Sequence, residues 1–205
     1  MFDTSEFGIT YSPFSEAKWE ETMKYDGNGK ELPKFKCGLD LYTDATWATS
    51  VENSYSVSGM LITAFGTPVA WKSQRQSVRA DSTCAAEYIA AADGIKWCSN
   101  MGHLQFYDWP SVPEGGIPPE IRILLDSTAA IQVSRSEEGK PRTRWLSLRW
   151  HRVADEKNKI YFVKSHQQKA DVLTKPPKSE GIKGLFGLYG TEPLSCMQKR
   201  GVSTR

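Results

Sequence analysis

The 205-residue sequence has no long hydrophobic run. Its mainly apolar stretches, Met60 to Phe65 (with Thr63) and Ile121 to Leu125 (with Arg122), fall far short of the ~20 residues that span a bilayer, so no membrane partner is expected. The N-terminal MFDTSEFG has no basic segment followed by an apolar one, so no secretory leader is expected. Cysteine is scarce: Cys37, Cys84, Cys98 and Cys196 form no CxxC pair, and the three histidines complete no zinc pattern. Reduced thiols in an intracellular protein are the expectation. Nor is there an internal repeat.

Net charge is also nearly absent: 26 Lys+Arg stand against 24 Asp+Glu, a formal +2. That balance argues against a histone-like nucleic-acid binder only if the charge is evenly spread. It is not, because residues 1–131 sum to −7 and residues 132–205 to +9. The basic second part suits a polyanionic partner, and equally a solvated face without one. With 39% apolar residues, the chain has the composition of a globular domain that can build a core without disulfide or metal staples.

Along the chain, Glu6 to Tyr11 reads as a short strand and Ser15 to Tyr25 as helix-compatible. Asp26 to Lys34 is turn chemistry. Gly38 to Thr43, Tyr55 to Phe65 and Val69 to Lys72 then predict an antiparallel meander, with the turn at Gly66-Thr67-Pro68. Asp81 or Ser82 caps a predicted helix from Thr83 to about Asn100. Residues 102–120 hold four of the eleven prolines and form a loop. Ile121 to Leu125 is a wholly buried strand type. A helix over Ser127 to Ser134, a charged loop from Glu137 to Arg144 and a helix over Trp145 to Glu156 follow. A strand at Ile160 to Val163 and a helix over Gln168 to Thr174 complete the pattern before Pro176-Pro177. The expected division is 1–36 as a connecting segment, 37–177 as the domain and 178–205 as a tail. Antiparallel strands followed by βα units predict an α/β fold, a mixed sheet with helices on its faces.

Four acids sit where acids are awkward. Asp44 follows the first strand of the meander, and Glu87 interrupts the apolar CAAEYIAAA. Asp126 follows the buried strand IRILL, and Asp171 lies in QKADVLTK. Singly, each has a plain alternative: a strand-end turn residue for Asp44, a helix cap for Asp126, an ordinary helix residue for Asp171. Together, two acids end neighbouring strands and two lie on helices able to pack over those ends, where open sheets bind ligands. Like charges so gathered repel unless a cation offsets them. Hard oxygen donors without Cys or His favour Mg²⁺ or Mn²⁺.

The residues also resemble a known family, the ribonuclease H domain of copia-type LTR retrotransposon Pol polyproteins. YTDATWA (Tyr42 to Ala48) resembles its SDADWA block and SYSVSGMLI (Ser54 to Ile62) its RSTSGYVF block. PVAWKSQRQ (Pro68 to Gln76) resembles PVSWSSKKQ, and STCAAEYIA (Ser82 to Ala90) resembles SSTEAEYMA. LLDSTAAI (Leu124 to Ile131) is similar to CDNQSAI, PRTRWLSLRWHRVADE (Pro141 to Glu156) to SRTKHIDIRYHFIRE, and ADVLTKP (Ala170 to Pro176) to ADILTKP. The segment EFGITYSP (Glu6 to Pro13) is similar to the one joining the polymerase to this domain. Departures are Ala85 for the first Glu of EAEY, Ser127 for the Asn after the third acid, and Trp145 and Ser147 for a His and an Asp.

The resemblance implies an RNase H-like fold, a mixed five-stranded sheet with helices on both faces. It implies a two-metal nuclease that binds Mg²⁺, with Mn²⁺ as substitute, through Asp44, Glu87, Asp126 and Asp171. The implied partners are an RNA–DNA hybrid and the polymerase portion of the same polyprotein, and the implied location is a cytoplasmic particle or the nucleus. Lys140, Arg142, Arg144, Arg149 and Arg152 are candidate phosphate contacts, with Lys72 to Ser77 as a second. Trp145 and Trp150 read as core residues before stacking platforms, and His166 as a surface residue before a proton-transfer group. A catalytically silent remnant that only binds nucleic acid is the alternative. A transposase on the same fold is another, and it would not depend on Glu87.

Overall fold

The structure is a computed structural model that describes residues 7–9, 24–32, 39–48, 54–64, 66–105, 121–136, 147–175 and 191–193. Of the loop expected over 102–120, residues 102–105 instead continue the long helix and the rest lies outside the described residues, as do residues 15–23, the expected charged loop 137–144 and the prolines at 176 and 177. The strands are β1 (Phe7–Ile9), β2 (Leu39–Thr46), β3 (Val57–Ala64), β4 (Thr67–Arg75), β5 (Ile121–Leu125), β6 (Ile160–Phe162) and β7 (Thr191–Pro193). The helices are α1 (Thr83–Gln105), α2 (Thr128–Arg135) and α3 (Ser147–Asp155). Five strands form one sheet in the order β4-β3-β2-β5-β6. β4, β3 and β2 run antiparallel, whereas β2, β5 and β6 run parallel. The mixed five-stranded sheet is thus the expected one. β2 is central, and all eight of its residues are buried.

Alternation along β2 splits the core in two. Leu39 and Leu41 join Ile62, Ile123, Leu125 and Ile160 against Tyr88, Ala91, Ala92 and Ile95 of α1, Ile131 of α2 and Val153 of α3. Tyr42, Leu61, Leu124 and Tyr161 face the other way, onto Leu32, Val163 and Ala170. Among the described residues, three α-helices therefore cover one face and 3-10 turns pack on the other. The predicted helix over Gln168 to Thr174 is corrected here to a single 3-10 turn, Asp171–Leu173. The buried Gln168 side chain bonds to strand carbonyls, donating from Nε2 to Thr43 O at 3.0 Å and Leu124 O at 3.4 Å. The amide thereby bridges the two parallel strands β2 and β5 at this end.

Helix α1 starts at a side-chain cap, Ser82 Oγ accepting from Ala85 N at 3.1 Å, and so Ser82 rather than Asp81 is the cap. It runs between the sheet and α3, and residues 86–92 are all buried. Alanines at 86, 90, 91 and 92 let it lie close to β2. At Gly94 the approach is closest, where an added Cβ would stand 2.6 Å from Thr43 Cγ2. Strand β2 extends two residues past Asp44, so this acid lies within the strand rather than after it. Outside the main sheet, β1 and β7 pair antiparallel, so the segment expected to be a tail contributes a strand to the chain's N-terminal part.

Candidate metal centre

Three sequence-distant carboxylates converge. Asp44 comes from β2, Asp126 follows the parallel neighbour β5, and Glu87 projects from α1 on the packed face. Each offers a carboxylate oxygen within 4.8 Å of the others. Asp44 and Glu87 are buried. Burial raises the Asp44 pKa; Asp126 and Asp171 raise it further, and the Thr174 hydroxyl and Lys175 oppose this. Glu87 is pushed up to about 9 by burial first and then by Asp44 and Asp126, against a backbone hydrogen bond from Ala45 and the Lys175 charge. Its Oε2 is buried with no hydrogen-bond partner among the described residues. An orphaned buried carboxylate oxygen facing two other carboxylates is the donor set a hard divalent cation fits.

Asp171 is not in this group of three. It opens the 3-10 turn on the other face of the sheet, and its carboxylate is ion-paired with Lys175 Nζ. The turn is nevertheless tied to the site. Thr174 Oγ1 donates to Asp44 Oδ2 at 2.5 Å, Ser73 Oγ donates to Leu173 O at 2.6 Å, and Thr46 Oγ1 reaches Thr174 O at 3.4 Å. Gly59 permits this docking. It stands opposite Asp44 in the β2–β3 register, and an added Cβ would meet Ala170 O at 2.6 Å and Thr174 Cγ2 at 2.8 Å.

The basic candidates divide. Lys140, Arg142, Arg144 and Trp145 lie outside the described residues. Arg149 is ion-paired with Asp93 of α1 at 3.3 Å and also donates to Ser77 Oγ at 3.3 Å, so it bridges α3 to α1. Arg152 is half-buried on α3, and Trp150 packs against the core as a core residue would. His166 is exposed in a 3-10 turn. Within Lys72 to Ser77, Gln76 is buried and donates to Ser58 Oγ at 2.9 Å and Ala86 O at 2.8 Å, which fixes the helix beside Glu87 to the sheet. Sequence reasoning missed Gly59, Gln76, Gln168, Thr174 and Lys175. Four of these lie inside the quoted blocks, Gly59 in SYSVSGMLI, Gln76 in PVAWKSQRQ, and Thr174 and Lys175 in ADVLTKP, and that was the available signal; Gln168 lies outside them.

The chain is 33% identical over 156 residues to the retrovirus-related Pol polyprotein of transposon TNT 1-94 from Nicotiana tabacum, a match covering 72% of this chain and 11% of that protein. It is 26% identical over 146 residues to the Pol polyprotein of transposon RE2 from Arabidopsis thaliana, covering 67% of this chain and 9% of the relative. The chain thus spans about a tenth of the length of the curated relatives it matches. No protein-family model matches. Similar solved structures include the N-terminal RNase H domain of a Mycobacterium tuberculosis protein fused to maltose-binding protein. There the identity is 15% and the TM-score 0.47, over 82% of this chain and all of that one. An RNase H1 isolated from compost is similar at 18% identity and TM-score 0.47, over 66% of this chain and 91% of the other. The sheet described above is antiparallel on one side of β2 and parallel on the other.

Proposed function

From the premise that this chain is homologous to a segment of copia-type retrotransposon Pol polyproteins, we propose that it is a metal-dependent endonuclease that hydrolyses the RNA strand of RNA–DNA hybrids. The observation that carries the proposal is the convergence of Asp44, Glu87 and Asp126 with an unpartnered Glu87 oxygen among them. In this reading those three carboxylates hold one divalent ion, and Asp44 and Asp171 hold a second. Bound Mg²⁺ supplies an activated water and charge stabilisation for in-line displacement at phosphorus. The chain's own residues position it. Thr174 fixes the Asp44 carboxylate, Gln168 holds the ends of β2 and β5 together, and the burial of Asp44 and Glu87 strengthens the charge interactions between them. RNA is told from DNA by contacts to 2′-hydroxyls across the wide minor groove of the hybrid. Arg152, with Lys140, Arg142 and Arg144, meets backbone phosphates. Arg149 does so only by exchanging its Asp93 partner.

One observation favours the alternative, a catalytically silent nucleic-acid-binding module: Asp171 stands outside the triad and is paired with Lys175. Cleavage of a labelled RNA–DNA hybrid with Mg²⁺ or Mn²⁺ decides between them, with single-stranded RNA and duplex DNA as controls. The nuclease reading expects hybrid-selective cleavage that falls at least ~100-fold in Asp44→Asn, the scale of a lost electrostatic stabiliser of the transition state. Unchanged cleavage by Asp44→Asn rejects it, and binding without cleavage establishes the silent module.

A further inference from the structure

Lys175 is a cation whose field reaches all four carboxylates. It is ion-paired with Asp171, it lowers the pKa of Asp44 and of Glu87, and Asp126 acts on it in turn. Desolvation works to lower its own pKa, but Asp171, Asp44 and Asp126 outweigh that and hold it above the ordinary lysine value. Its position is built. The turn that carries it is anchored to β2 and β4 by Thr174, Thr46 and Ser73, and Gly59 leaves the space for it. The ion pair itself is about half exposed, 53% for Lys175 and 45% for Asp171.

We propose that Lys175 is the built-in counter-cation of this site, and that a divalent ion has to displace it from Asp171, so that the site loads in order. The first ion enters at Asp44, Glu87 and Asp126, where no side-chain cation among the described residues is paired. The second takes up Asp171 only as the ammonium leaves. The physical basis is a balance of two charges. Without a metal, four gathered carboxylates repel, and an ammonium on a flexible stem relieves part of that. An exposed, water-screened pair between residues four apart is weak, so a divalent ion can replace it. This inference rests on the metal-site reading given above.

The test is Mn²⁺ binding to the full chain, read from the electron paramagnetic resonance signal of the free aquo ion. Wild type is expected to bind two ions stepwise, the second more weakly. Lys175→Met strengthens the second step by roughly threefold to fivefold, the equivalent of one surface ion pair, and Lys175→Arg retains the wild-type steps. Asp171→Asn removes the second step in either background. A second step unchanged or weakened in Lys175→Met overturns the proposal, as does an arginine variant that behaves like the methionine one. Failure of the metal-site reading looks different. In that case Asp44→Asn binds Mn²⁺ as wild type does, or wild type binds none, and both ideas fall.

Discussion

Glu87 concentrates the conflict between folding and the proposed metal binding in one side chain. A carboxyl 6% exposed among alanines and two aspartates is costly to ionise. Its pKa is raised from 4.5 to about 9, so between those values the folded state binds more protons than the unfolded one. Stability of the metal-free protein is therefore fully present below about 4.5 and falls as pH rises toward about 9. Asp44, raised from 3.8, acts in the same direction. Thermal unfolding in chelator across this range is expected to show that decline, and Mg²⁺ is expected to flatten it by binding the ionised form. Glu87→Gln, which mimics the protonated side chain, is expected to lose most of the slope, to keep its stability near neutral pH and to lose Mg²⁺-dependent stabilisation. A slope as steep in Glu87→Gln as in wild type would show that another group titrates. The anomaly was legible in the sequence, because an acid inside CAAEYIAAA has no polar face to occupy. Its neighbours were not, because Asp44 and Asp126 are brought to it by tertiary contact.

At the scale of elements, the 168–175 segment decides how much of the site is assembled. The sequence predicts a helix there, and backbone propensity alone supports it. Instead the buried amide of Gln168 bonds to the ends of β2 and β5, and the chain turns so that Thr174 reaches Asp44. That docking needs a bare Cα at position 59. Gly59→Ala is expected to destabilise the protein by about 2 kcal/mol, an overpacking cost that the contact with the Ala170 carbonyl makes hard to relax. Urea unfolding measures it, and a neutral result would mean that the turn is not seated on β3. The same logic explains α1. A glycine inside a helix costs about 1 kcal/mol relative to alanine, yet Gly94 is what lets this helix lie against Thr43 and so aim Glu87. Nearby, Arg122 and Asp40 form a buried pair across β2 and β5, with bonds of 2.6 and 2.9 Å. A pair of this kind favours one strand pairing over its alternatives more than it adds stability.

For the whole molecule, the near-zero net charge separates into an acidic part and a basic part. The acidic part contains Asp44, Glu87 and Asp126, where a cation is wanted, and the basic part contains α3. Hybrid binding is expected to weaken as salt rises, because phosphate contacts release condensed counterions. Arg152→Ala should lower the slope of log affinity against log salt by about 1, the share of one contact. Arg149→Ala should instead act on stability, since it breaks the bond between α3 and α1 through Asp93. Measuring both slopes by fluorescence anisotropy separates the roles, and equal effects on the slope would place Arg149 on the nucleic acid. No helix among the described residues is long and apolar enough to cross a membrane, in line with the short apolar runs.

What the sequence by itself determined is local. The IRILL run specified β5 to the residue, the alternation in LDLYT specified the first part of β2, and Ser82 marked the start of α1, whereas α2 is capped by Ser127 and not by Asp126. Each depends on a period or a cap that neighbouring residues carry. The four acids were likewise marked by local context and by the motif blocks. Tertiary structure alone decided which of them meet. Asp44 and Asp126 are 82 residues apart in sequence and are joined only by the parallel register of β2 and β5, and Glu87 joins them only because α1 lies across β2. Tertiary structure also gave Asp171 a different partner: the turn that carries it docks on the face to which Asp44 points, so that Thr174 bonds Asp44 while Asp171 pairs with Lys175. Side-chain pattern records which face a residue prefers. Distance between carboxylates, and with it their charge state, arises only when the strands and helix have packed.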